Sequence, residues 1–381
     1  DEEAVLVVQG INDVVATFFI TKRDVSVGRR FTEIEDLNLL VRNVRKSAEM
    51  PLSISSADQL NDFDAQSAYE LYRYLFGPFE ESLGDLNEIT LVSNTSLNSI
   101  PLAVLVTRDP NSSDFELESS WAYKGIDFKL LPSLRSLIAL EGYGDDVVRE
   151  QRFLGVGDPI LAPYTTNTRT VKVLGFEETV SSVEMMKGLA SLPDTRSELE
   201  MLSTFFDPAP QSRLLLGDEA TEESLRSTDL TQFSTIAFAT HGLLSGELPG
   251  LTEPALVLTP NSDGDGLLTA SEIADMDLAA ELVILSACNT NIDNKMDADG
   301  LSGLSTAFMF AGAQNLLITH WAVDSEVAAF VTTRTLARYR SEPGSSLSNA
   351  LDYVIDQVRE RPGWDHPAFW APFTVIGDRA N

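Results

Sequence analysis

Five short apolar runs, "RFLGVG", "SRLLLG", "STIAFAT", "ELVILSA" and "AQNLLIT", constrain the fold of this 381-residue chain more than any other feature. Stretches of helical periodicity alternate with them, such as "TRSELEMLSTFF", "TEESLRS", "LSGLSTAFMFAG" and "SEVAAFVTTRTLARYR". A strand that is apolar along its whole length must be covered on both faces, and intervening amphipathic helices supply that cover. The pattern therefore predicts an α/β fold with a mostly parallel sheet. A last run, "PFTVIG", predicts the closing strand.

The earlier part of the chain reads as a separate α/β layer. "AVLVVQG" and "DVVATFFITK" predict neighbouring strands around an "IND" turn, with "VSVG" as a third. In "FTEIEDLNLLVRNVRKSAE", Ile34, Leu37, Leu40, Val41 and Val44 recur at steps of three and four, which predicts a helix. A second helix is expected over "AQSAYELYRYLFGPFEESLG", interrupted at Gly77-Pro78, followed by strands at "EITLVS" and "LAVLVT" and a helix near "LPSLRSLIAL". The acidic, glycine-containing stretch 141–151 is the expected boundary, giving segments 1–150 and 151–381.

Composition narrows the function. At 43% hydrophobic the chain can bury a substantial core, and no apolar stretch approaches the length of a membrane helix. The sequence starts at Asp1 with no basic and apolar leader, which suggests a piece of a longer protein. One cysteine excludes an internal disulfide framework and a multi-cysteine zinc site, and His241, His320 and His366 lack zinc-ligand spacing; no metal or cofactor is expected, and the redox context points to the cytoplasm. A net charge of −31 would repel a phosphate backbone or an anionic membrane over most of the surface. Such acidity serves solubility, or attraction of a basic substrate.

Three of the predicted parallel strands deliver chemistry at the same end: "STIAFATHG" leads to His241, "ELVILSACN" to Cys288 and "AQNLLITHW" to His320. Sites of open parallel sheets lie at the carboxyl ends of strands, so the three residues are candidates for one crevice. A free thiol is mostly protonated at neutral pH. A neighbouring imidazole stabilises the thiolate and can then protonate a leaving amine, so His241 with Cys288 makes a candidate catalytic dyad. Gly242 lets its backbone N–H approach a substrate carbonyl and, with the N–H of Cys288, form an oxyanion hole. Gly242 also reads as a turn residue. Ser286 and Ala287 are small enough to let substrate approach, or to let a helix pack close. His320 competes for the role of base, but the adjacent Trp321 favours a packed, pocket-lining residue, and His366 before Pro367 reads as structural.

These blocks resemble the CHAT domain (caspase HetF associated with TPRs). The resemblance rests on "FATHG", "DGLLTASEIADMDL", "LVILSACNT", "GLSGLSTAFMFAGAQNLLITHWAVD" and "HPAFWAPFTVIGD", and extends to "RFLGVGDP" and to 71–105, where "VSNTSLNSIP" is more polar than the family pattern. It implies a caspase-like three-layer sandwich with a degenerate N-terminal half and a catalytic C-terminal half, and a dyad on His241 and Cys288. It also implies a cysteine endopeptidase acting on a specific protein substrate, within a larger bacterial defence or cell-death protein carrying an N-terminal helical-repeat or sensor region. The alternative within the family is a catalytically silent interaction scaffold. Caspase-like peptidases read the residue before the scissile bond with charges near the catalytic strands, so Asp158 and Asp324 are candidates for binding a basic side chain. Each has a plainer reading, Asp158 as a turn residue before Pro159 and Asp324 as a helix cap.

Two further signals remain. Residues 261–272 match an EF-hand loop through Asn261, Asp263, Asp265, Gly266, Leu268 and Glu272, yet a strand precedes them and Thr269 with Glu272 forms a capping box, so turn plus cap is the preferred reading. The polar stretch 289–300 is expected to gate the site, with Lys295 either a self-cleavage site or an ordinary exposed lysine.

Overall fold

Asn12 takes up the left-handed backbone (φ 54°) that lets the chain reverse between β1 (Glu3–Ile11) and β2 (Val14–Thr21), as the "IND" turn requires. The computed structural model describes residues 3–49, 60, 62–84, 86–133, 151–161, 168–173, 176–181, 186, 189, 191–192, 194–206, 212–248, 250–286, 299–321, 323–342 and 345–377. It divides into two units, one formed by 1–143, 295–299 and 338–381, the other by 144–294 and 300–337.

In the first unit β1 pairs antiparallel with β2, and β2 with β3 (Val25–Glu33). On its other side β1 runs parallel to β4 (Glu88–Ser93), which runs parallel to β5 (Asp127–Leu131), and the last strand, Phe373–Ile376, joins β5 through Ile376 and Leu130. Helix Ile34–Ala48 buries Leu37, Val41, Val44 and Ala48, the stripe its periodicity predicts, and packs on helix Ala65–Phe76. That second helix starts at Asp64, whose carboxylate accepts from the Ser67 N–H, and gives way to a 3-10 segment at Gly77–Ser82, where Pro78 cannot continue an α-helix.

The sequence misled at two places here. "LAVLVT" is no strand: behind Pro101 the backbone turns into a 3-10 helix, Leu102–Val104, and only Val106 makes an isolated bridge, to Trp121. The strand is "DFKLL", concealed by Lys129, whose charge is matched by Glu88 on β4 at 2.6 Å. The amphipathic helix Leu347–Arg359 also went unread. Its Arg359 lies over the rings of Trp370 and Trp121 at 5.0 and 5.5 Å and pairs with Glu118. Packing of this helix and of the last strand on β5 groups residues 338–381 with the N-terminal unit, which differs from a split at residue 150. The expected helix near "LPSLRSLIAL" lies mostly outside the described residues.

The second unit carries β6 (Phe153–Pro159), a hairpin of β7 (Thr168–Val173) and β8 (Phe176–Ser181), β9 (Ser212–Gly217) and β10 (Thr235–Ala239). After these come the short strands β11 (Gly242–Leu243), β12 (Ala255–Val257) and β13 (Leu267–Thr269), then β14 (Leu282–Ser286) and β15 (Asn315–Thr319). The parallel strands lie in the order β15, β14, β10, β6, β9, every pairing parallel as the apolar runs predict. The hairpin of β7 and β8 was not read from the sequence.

Starting at β6, the chain first moves outward to β9 and then returns across β6 to β10, β14 and β15. Right-handed crossovers place the helix before β9 on one face of the sheet and the helix between β14 and β15 on the other. Side chains agree. Phe308, on helix Asp299–Ala311, packs with its ring tilted against Phe238 of β10, centroids 5.3 Å apart, while helix Asp194–Ser203 sits on the opposite face, over Gly155 and Gly157 of β6. A Cβ on Gly157 would lie 2.7 Å from Leu199 Cδ1 and 2.5 Å from the Ala239 carbonyl oxygen, so glycine there lets the helix approach the sheet. In register, Gly157 pairs with Ala239 and Ala239 with Ser286, a row of small residues across three strands at their carboxyl ends.

Candidate functional site

The reversal of direction between β6 and β10 is the topological switch point of this unit, and crevices in open parallel sheets form there, beyond the strand ends. Asp158 is at the end of β6, His241 just past β10, Ser286 at the end of β14 and His320 just past β15.

His241 is buried, with 5% of its surface exposed, and its backbone is fixed: the Val257 N–H donates to the His241 carbonyl at 2.9 Å, and Thr240 Oγ1 donates to the Val257 carbonyl. Gly242 pairs with Leu256 in the three-stranded sheet of β11, β12 and β13. That sheet stands on its own small core of Leu161, Met186, Leu243, Leu251, Ala255, Val257 and Leu267. A local apolar cluster thus holds the histidine at the strand end. Cys288 and Ala287 lie outside the described residues, as does the stretch 289–298 with Lys295. Register still relates the two dyad positions: Ala239 pairs with Ser286, and His241 and Cys288 each follow two residues later. His320 stands two residues beyond Ile318, which pairs with Leu285, so it counts level with residue 287. It is fully buried against Trp321, ring centroids 6.4 Å apart.

Asp158 has a left-handed backbone (φ 51°) at a register shift between β6 and β9. The start of helix Asp194–Ser203 holds it: the Asp158 N–H donates to Thr195 Oγ1 at 3.0 Å, and Arg196 brings Nε to 2.9 Å and Nη2 to 2.7 Å of Oδ2. The carboxylate thus already binds a guanidinium. Asp324 Oδ1 accepts from the N–H groups of Glu326 and Val327, capping helix Ser325–Ser341. His366 caps Pro367–Trp370 by accepting at Nδ1 from the Ala368 N–H, a structural role.

The loop 261–272 is committed to its own turn. Asn261 Oδ1 accepts from the N–H groups of Asp263 and Gly264, and Glu272 closes the capping box with Thr269 while meeting Arg226 at 3.0 Å. Among the described residues no group of three or more His, Cys, Asp or Glu is arranged to hold a metal, and no helix is long and apolar enough to cross a membrane.

Sequence reasoning missed Glu198. It points from helix Asp194–Ser203 at the row of small residues, is 4% exposed, and its carboxyl lies 3.2 Å from Ser286 Oγ and 3.1 Å from Thr332 Oγ1. Burial raises its carboxyl from 4.5 to about 7, against the opposing effect of the two hydroxyls. The available signal was an acid beside Leu199 and Leu202 on the helix face that meets glycine and alanine.

Residues 65–378 match the model of the CHAT domain. Human tetratricopeptide repeat protein 28 is 27% identical over 352 residues, taking in 81% of this chain and 13% of that protein. The mouse protein of the same name is 26% identical with the same coverage, so the chain spans only 13% of the length of these curated relatives. Among solved structures, a Saccharomyces cerevisiae separase–securin complex is similar with a TM-score of 0.48 and 10% identity, over 99% of this chain and 30% of that one. The Arg-specific cysteine proteinase gingipain R is similar with a TM-score of 0.45 and 11% identity, over 91% of this chain and 74% of that one. By its match over residues 65–378, this chain belongs to the CHAT domain family.

Proposed function

We propose that this chain is a cysteine endopeptidase domain in which Cys288 is the nucleophile and His241 its base. The observation that carries the reading is register: Ala239 pairs with Ser286, and in the sequence His241 and Cys288 each follow two residues later, whereas His320 follows two residues after Ile318, the partner of Leu285. Family membership supports it, since the CHAT resemblance implies a dyad on these same two residues. In this mechanism His241 takes the thiol proton, the thiolate attacks the peptide carbonyl, and the N–H groups of Gly242 and Cys288 receive the developing oxyanion. His241 then protonates the leaving amine, and water attacks the acyl-enzyme.

Cleavage follows a basic residue in this reading. Asp158 binds the guanidinium of Arg196, and a substrate arginine would exchange for it. Asp324, exposed and capping through Oδ1, offers its second oxygen. The domain belongs to a larger regulated cytoplasmic protein of the bacterial defence or cell-death kind, with a helical-repeat region; relatives named for tetratricopeptide repeats support the last point.

Mass spectrometry after iodoacetamide treatment tests the dyad. Expected is one adduct, on Cys288, formed about ten-fold or more slowly in His241→Ala. Equal, slow labelling of both proteins would overturn the reading in favour of a silent scaffold.

A further inference from the structure

Among the described residues no cation meets buried Glu198, and its polar partners there are the hydroxyls of Ser286 and Thr332. Thr332 Oγ1 has one proton and three acceptors in reach, the Ala328 carbonyl at 2.8 Å, Glu198 Oε1 at 3.1 Å and the Ala329 carbonyl at 3.5 Å. With that proton donated to the Ala328 carbonyl, the shortest of the three contacts, a neutral Glu198 can donate from Oε1 to Thr332 while Oε2 accepts from Ser286.

The sheet is built to admit this side chain. Gly157, Ala239 and Ser286 form one in-register row, and Glu198 reaches the end of it. Strands packed against its helix carry Asp158 and Arg213, and His241 follows two residues after the end of a third, β10. Asp158 is held by Arg196, and Arg334, on the helix of Thr332, lies over Phe330 at 5.3 Å.

We propose that Glu198, as a neutral acid, is a positioning residue for the nucleophile: it fastens Ser286, two residues before Cys288, to helix Asp194–Ser203 and, through Thr332, to helix Ser325–Ser341. The inference rests on Cys288 being the nucleophile. The carboxyl raised to about 7 agrees with a proton retained in the fold.

The test is the rate of Cys288 alkylation by iodoacetamide from pH 5.5 to 9, in the unaltered protein, Glu198→Gln, Glu198→Ala, Ser286→Ala and the last two combined. Glu198→Ala and Ser286→Ala each slow alkylation by about ten-fold, and the double variant is no slower than either, because one link has been cut twice. Glu198→Gln can accept from Ser286 and donate to Thr332, so it stays within about two-fold of the unaltered protein below neutral pH. It also lacks the inflection near pH 7 that ionisation of Glu198 gives the unaltered protein. Should Glu198→Ala fail to fold, Ser286→Ala and the Glu198→Gln profile still decide. Additive effects, or Glu198 and Ser286 variants matching the unaltered protein at every pH, overturn the proposal. His241→Ala run alongside separates the two readings: if it slows labelling while the Glu198 variants do not, positioning alone fails, and if it too has no effect, the nucleophile assignment fails.

Discussion

Replacing Glu198 by glutamine removes one ionisation from the interior of the second unit and should change how its stability depends on pH. The folded carboxyl titrates near 7 and the unfolded one near 4.5. Between those values the folded state holds a proton that the unfolded state has lost, so Glu198 lowers stability as pH rises through this window. The penalty is absent below the unfolded value and complete above the folded one. A shift of this size is worth about 3 kcal/mol, of which about 2 to 3 kcal/mol falls between pH 5 and pH 8. Glutamine has no such titration. The difference in stability, Glu198→Gln minus unaltered, should therefore become more favourable by that amount from pH 5 to pH 8, or about 5–10 °C in melting temperature for a unit of this size. Differential scanning calorimetry at pH 5, 6, 7 and 8 measures it. Any constant cost of the amide cancels in the comparison across pH, and so does titration elsewhere in this chain of net charge −31. A difference that is flat with pH, or that favours the unaltered protein as pH rises, would refute the reasoning.

Other expectations follow from named contacts. Arg196→Ala leaves the Asp158 carboxylate open, so peptides ending in Arg or Lys should be cut with a KM several-fold lower, an advantage lost in Asp158→Asn; fluorogenic peptides report both. Gly157→Ala sets a Cβ 2.5 Å from a backbone oxygen that cannot swing away, which should cost about 2 kcal/mol or more and lower the melting temperature by at least about 4 °C. Arg359→Ala removes a nearly buried guanidinium from its aromatic surroundings and from Glu118, and urea denaturation of the first unit should show a loss of about 2–4 kcal/mol. Isothermal titration with calcium should give no binding heat at 261–272, because Glu272 already serves Thr269 and Arg226.

Much of the second unit was legible because its signals are local. An apolar run of five or six residues needs cover on both faces wherever it lies, so "STIAFAT" and "ELVILSA" announced parallel strands, and the first placed His241 just past a strand end. The capping box of Thr269 and Glu272, a relation within four residues, was equally readable. The "DFKLL" strand was not, because Lys129 breaks the apolar pattern and is matched by Glu88, which is distant in sequence.

The sequence by itself determined the parallel strands of the second unit and the strand ends at which His241 and His320 stand, since periodicity and composition act over a few residues. Only the tertiary structure decided which strands are neighbours, and with that the switch point between β6 and β10 and the register that sets His241 apart from His320. It also decided that Asp158 holds Arg196 and that Glu198 lies buried between two hydroxyls. Those facts depend on contacts between residues as much as 134 positions apart, as Thr332 is from Glu198, and such contacts leave no trace in local spacing.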